Sequence, residues 1–130
     1  VRALWASDTG GYAPYISLQP HYNVARRDEF ERELEPMCRE LGLGVIPYAA
    51  LAGGFLSGKY RRGDPLPESK RATTVQQRYF NDHGFAVLEA VLRVAEARGA
   101  TPTQVALAWL LSRPAVTAPV ALASVSPLPG

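Results

Sequence analysis

The residues from Leu51 to Lys59 (LAGGFLSGK) are of the types that suit a phosphate ligand. Glycines at 53, 54 and 58 let the backbone approach a ligand closely. Free N–H groups together with the Lys59 cation attract an anion. Tyr48 stands just before this run and offers an aromatic face for stacking or for core packing. On spacing alone, a solvated glycine-rich turn is the plain alternative. Elsewhere the chemistry is sparse. His21 and Tyr22 are adjacent, but a lone histidine beside Pro20 reads as structural or exposed rather than catalytic. His83, at a helix start, reads as a surface residue. Cys38 is the single cysteine, so it has no internal disulfide partner and no metal-site companion. It reads as a small buried hydrophobe.

The elements around the glycine-rich run read as strand and helix in alternation. Val45 to Tyr48 (VIPY) is a short apolar run after a glycine, the pattern of a buried parallel strand that delivers the loop at its C-terminal end. Before it, Val1 to Ala6 (VRALWA) and Tyr15 to Leu18 (YISL) read as strands. Asp28 to Leu41 reads as a helix on the stripe Phe30, Leu34, Met37, Cys38, Leu41, closed by Gly42. Pro36 predicts a kink there, or a second helix starting with Pro36 in its first turn. Arg61 to Arg78 lacks periodicity and reads as a long connection. Phe85 to Arg98 reads as a helix, and Thr101-Pro102-Thr103-Gln104 predicts a capping box opening another. That last helix is apolar almost all round at Val105, Leu107, Ala108 and Leu111, so it is expected to be deeply packed. Thr117 to Ser124 reads as a final strand. The alternation predicts an α/β fold with a parallel sheet. The first two strands, however, are joined by only about six residues, too few for a parallel crossover.

With 130 residues the chain can build one domain with a core. At 47% apolar and 20% charged it reads as globular rather than disordered. A net charge of +2 is too small to argue for nucleic acid, and no apolar run reaches the ~20 residues of a membrane helix. No secretory leader is evident and the lone cysteine fits a reducing compartment, so a cytoplasmic setting is expected.

Four stretches, VRALWASD at Val1, YISLQPHYNV at Tyr15, GLGVIPYAALAGGFLSGKY at Gly42 and GATPTQVALAWLLSRPAVTAPVALAS at Gly99, together resemble the aldo-keto reductases. The resemblance covers about residues 1–8 and 15–125, and is to the subfamily of bacterial NADPH-dependent reductases and potassium-channel β subunits. It implies a (β/α)8 TIM barrel that binds NADP(H), with this chain as strands five to eight, the C-terminal half. Residues 1–130 would then be one partial reductase domain. The helix between strands five and six is replaced by Thr9 to Pro14, which accounts for the short connection.

The resemblance also implies roles. Ser7, Asp8 and Gln19 match positions that hold the nicotinamide carboxamide, although the family more often has Asn or Arg where Asp8 stands. Tyr48 matches the residue that stacks on the nicotinamide ring. Ala49, Ala50, Leu51, Ala52 and Gly53 match the loop whose backbone holds the pyrophosphate. Lys59 and Arg71 match phosphate contacts, and Ser124 matches a grip on the adenosine phosphate. Trp5 stands where a glycine is usual, and Leu122 replaces a small residue. The family's proton-donating Tyr and its Lys, Asp and His match nothing here, so no catalytic residue is assigned. Two readings remain. In one, the chain supplies the cofactor side of a site that reduces a small-molecule aldehyde or ketone. In the other, it is a truncated, inactive fragment that closes a barrel with a second copy as a homo-oligomer.

Overall fold

The computed structural model of the chain describes residues 1–121. The end of the expected strand from Thr117 to Ser124, and with it Leu122 and Ser124, lies outside that range.

Two short strands form the centre: β1 (Ser17–Leu18) and β2 (Gly44–Val45) pair in parallel, Ser17 opposite Gly44 and Leu18 opposite Val45. Pairing continues beyond them, because the amides of Gly44, Ile46 and Tyr48 each donate at 2.9 Å to the carbonyls of Ile16, Leu18 and Pro20. The opposite edge of β2 is taken by residues near the C-terminus. Thr117 N donates to the Val45 carbonyl at 2.8 Å and Val120 N to the Pro47 carbonyl at 2.9 Å. Three parallel stretches therefore lie side by side, as the apolar alternation predicts.

The first helix, α1 (Arg2–Gly10), corrects the expectation of a strand over Val1–Ala6. Among the described residues no strand lies beside this stretch to complete its backbone hydrogen bonds, so the backbone bonds to itself. Trp5 is left 68% exposed as a result. The stretch after β1 behaves as Pro36 predicts. A π-helical turn over Phe30–Leu34 gives way to α2 (Glu35–Glu40), with Pro36 in the first turn, where its missing N–H costs nothing. Gly42, at φ 63°, closes it.

After β2 the chain makes a 3₁₀ segment over Ala52–Ser57. The expected long connection contains a helix, α3 (Ala72–Tyr79). Its buried residues Ala72, Val75 and Tyr79 form one narrow stripe, too short to stand out among polar neighbours. Then come α4 (Asp82–Arg98) and α5 (Pro102–Leu111). The Asn81 side chain caps α4 by accepting from Gly84 N at 2.7 Å. The capping box of α5 is complete: Gln104 N donates to Thr101 Oγ1, and Thr101 N donates to Gln104 Oε1. α5 is packed on one side only. Ala106 and Leu110 are buried, while Ala108 is exposed and Leu111 is 61% exposed, contrary to the expectation of all-round burial.

Two apolar clusters hold the elements. One gathers Phe55, Leu56, Tyr60, Val75, Tyr79, Phe85 and Leu88 between the 3₁₀ segment, α3 and α4. The other gathers Tyr22, Phe30, Cys38, Val45 and Leu110 beneath the strands. Cys38 is buried as expected, and burial pushes its thiol pKa up.

Candidate functional site

A cleft of about 780 Å³ opens at the C-terminal end of β2. That end is where parallel α/β folds bring ligands, because the strands deliver their following loops there. Tyr48 forms part of the wall and is 44% exposed. The loop after it runs along the cleft from Ala49 to Gly54. Its backbone is strained: Ala49 and Ala52 adopt φ values of 57° and 52°, a region most non-glycine residues avoid. Ala52 N donates to the Ala49 carbonyl at 2.9 Å and Leu56 N to the Leu51 carbonyl at 3.1 Å, which fixes this turn. Gly53 is held close against α3, since a Cβ there would stand 2.9 Å from Val75 Cγ2.

Lys59, α3 and the residues just before α3 supply charge to the cleft. Lys59, Lys70, Arg71 and Arg78 line the cleft, together with the hydroxyls of Ser57, Ser69 and Thr74. Among the described residues no aspartate or glutamate lines it. Among the described residues the ion pairs are made by other arginines, such as Arg27 with Glu31 and Arg62 with Asp82, leaving these four cations without a carboxylate partner. Lys59 folds over the glycine pair, so a Cβ at Gly54 would meet its Nζ at 3.1 Å. Unpaired cations around a glycine-rich turn attract phosphate oxygens.

Beside Tyr48, His21 and Tyr79 also line the cleft and belong to a hydrogen-bonded group. The His21 ring is centred 5.0 Å from the Tyr48 ring at 34°. His21 Nε2 is 3.1 Å from the Tyr79 hydroxyl, and Asn23 Nδ2 donates to that hydroxyl at 3.2 Å and to the Ala49 carbonyl at 3.0 Å. Burial, then the charges of Arg26 and Arg78, push the His21 pKa below its ordinary value, against a smaller opposing pull from Glu29.

The cleft thus gathers Tyr48, Ala49, Ala50, Leu51, Ala52, Gly53, Lys59 and Arg71 from the residues expected on sequence grounds. Gln19 is exposed at the end of β1, one strand over. Ser7 and Asp8 are on α1, away from the lining of the cleft. Ser7 is buried with its hydroxyl donating to the Ala3 carbonyl, and Asp8 is exposed. Sequence reasoning missed Lys70, Thr74 and Arg78, which α3 and the turn before it present, and the stripe of Ala72, Val75 and Tyr79 was the signal that could have found them. It also set His21 aside. Among the described residues no cluster of His, Cys, Asp and Glu could hold a metal ion, and no helix is long and apolar enough to cross a membrane.

The profile of the Aldo/keto reductase family matches residues 2–126. The "Putative voltage-gated potassium channel subunit beta" of Schizosaccharomyces pombe is 37% identical over 84% of this chain and 33% of its own length. The aldo-keto reductase dtxS3 of Metarhizium robertsii is 36% identical over 88% of this chain and 30% of its own. Among solved structures, a glycerol dehydrogenase from Gluconobacter oxydans superposes with a TM-score of 0.62 at 27% identity, over 84% of this chain and 34% of that one. The chain spans about a third of the length of the relatives it matches.

Proposed function

The chain belongs to the aldo/keto reductase family, whose fold is the TIM barrel, and from that premise we propose that it forms the cofactor side of a carbonyl-reducing site. In this reading, residues 1–130 are a partial reductase domain from the C-terminal half of the barrel, and β1, β2 and the stretch at Thr117–Val120 are three of its strands five to eight. The succession of parallel stretches with a cleft at their C-terminal ends supports that placement.

The cofactor is NADP(H). The observation that carries this is one cleft holding an aromatic ring, a glycine-rich turn and four cations, with no carboxylate among the described residues that line it. A dinucleotide phosphate presents a flat ring at one end and several negative phosphates at the other, and this lining is complementary to both. Tyr48 takes the nicotinamide ring. The turn from Ala49 to Gly53 takes the pyrophosphate, with Lys59 and Arg71 on phosphate oxygens and Gln19 reaching the carboxamide. Ser124 grips the adenosine phosphate. Ser7 and Asp8, as α1 places them, reach the carboxamide only if that helix rearranges. When bound, the cofactor would supply the hydride for reduction of a small aldehyde or ketone, the carbonyl oxygen taking its proton from a donor that is not among the assigned residues. The chain's own residues bind and orient the cofactor and shield one side of its ring.

Titration with NADPH at increasing salt tests the reading. Phosphates held by Lys59, Lys70, Arg71 and Arg78 give saturable binding that weakens as salt screens the charges. Absent binding, or binding indifferent to salt, contradicts it. A second reading, pairing with another copy of this chain, draws on the exposed Val1, Trp5, Tyr12, Tyr15 and Ile16.

A further inference from the structure

We propose that His21 is a positioning residue for Tyr48, held in place by the Tyr79 hydroxyl, so that the end of α3 sets the angle of the ring on which the nicotinamide stacks. The proposal rests on the cofactor reading above and adds to it a residue that has no contact role there.

The geometry gives each member a defined part. His21 and Tyr48 face each other across the β1–β2 pairing, joined as a parallel bridge. Tyr48 N donates to the Pro20 carbonyl, which fixes the backbone beneath both rings. The imidazole stands 5.0 Å from the phenol ring, tilted by 34°, and so limits how that ring can turn. The imidazole is itself oriented. Asn23 is fully buried, and its Oδ1 accepts from Ala25 N at 2.9 Å, which leaves Nδ2 to donate. Nδ2 donates to the Tyr79 oxygen, so the Tyr79 proton is available to His21 Nε2. With that proton directed at Nε2, the imidazole is neutral and carries its own proton on Nδ1. Neutrality suits the surroundings, because burial and the charges of Arg26 and Arg78 disfavour a cation on His21 and only Glu29 opposes them.

The same Asn23 amide donates to the Ala49 carbonyl, at the start of the strained turn. α3 therefore ends in the residue that orients the stacking platform, and α3 with its N-cap also carries Arg71, Thr74 and Arg78 to the phosphate side of the cleft. The ring end and the phosphate end of the cleft share one support.

The test separates these two ends. Wild-type chain, His21→Ala and Tyr79→Phe are titrated with NADPH and with adenosine 2′,5′-bisphosphate, which keeps phosphates but lacks the nicotinamide. His21 is only partly buried, and Tyr79→Phe keeps the ring that stacks on Phe55 at 5.4 Å, so both variants are expected to fold; circular dichroism checks this. The expected result is an NADPH affinity reduced about three- to tenfold in both variants, the worth of a well-oriented aromatic contact. Bisphosphate affinity stays unchanged. A purely structural role for His21 would weaken both ligands equally, and that outcome overturns the proposal. Unchanged NADPH affinity in the variants overturns it as well. If the wild-type chain binds neither ligand, the cofactor reading itself falls and the positioning role falls with it.

Discussion

His21 couples charge to stability as well as to geometry. Its ordinary pKa is 6.5, and the folded chain lowers it, first through burial and then through Arg26 and Arg78. The unfolded chain therefore takes up the proton more readily than the folded one. Stability is fully present above 6.5 and is lost as pH falls through the lowered value. Glu31 acts in the same direction at lower pH. Its hydrogen bond from Arg27 holds its carboxyl below the ordinary 4.5, so its contribution is present above 4.5 and fades beneath it. We expect the melting temperature to fall on acidification from about pH 7 towards about pH 5, and the fall to be shallower in His21→Gln. Equal slopes for the two chains would show that another group carries the acid sensitivity. At this scale the sequence reveals single residues but not their company. Tyr48 and the glycines are close in sequence, so their meeting at one cleft is legible. His21, Tyr79 and Arg78 come from distant stretches, and only the fold places 58 positions of separation within a 3.1 Å contact.

Among the elements, the junction between α3 and α4 is the least forgiving. A Cβ added at Gly84 would lie 1.9 Å from the Tyr79 carbonyl oxygen, which is backbone and cannot turn aside. Gly84 N is also the donor to the Asn81 cap. Gly84→Ala is expected to cost about 1–3 kcal/mol of stability, read from chemical denaturation, since the two helices must separate to admit the methyl group. Stability equal to wild type would mean that the junction relaxes freely, and that α3 is not held as described. Elements with local signals were readable in advance. The capping box at Thr101 and Gln104 and the restart at Pro36 are fixed by residues a few positions apart. The short helices were not. For α3 the signal is three buried residues among charged and polar ones, and for α1 the outcome turns on whether a neighbouring strand is there to pair with.

Across the whole molecule, the parallel succession of 15–20, 44–48 and 117–120 follows from the alternation of apolar runs and helices, and so does the cleft at the strand ends. What the alternation does not show is how the outer edge of the sheet is treated. Among the described residues nothing pairs with the far side of β1, and Trp5, Tyr12, Tyr15 and Ile16 are all more than three-fifths exposed. An unpaired edge and exposed apolar side chains, Tyr15 and Ile16 directly preceding β1 among them, favour association. Light scattering is expected to give a mass above that of one chain at high concentration, and Ile16→Lys, which charges this surface, is expected to restore the monomer. A wild-type chain that stays monomeric throughout would contradict this use of the edge.

The central claim concerns the cleft, and thermal melting with and without saturating NADPH tests it most directly. A ligand bound to the folded chain alone raises the melting temperature by several degrees at a hundredfold excess over its Kd. We predict that rise for the wild-type chain and a smaller one for Tyr48→Ala, whose side chain is exposed to the cleft and whose loss leaves the core intact. A wild-type melting curve unchanged by NADPH would contradict the account.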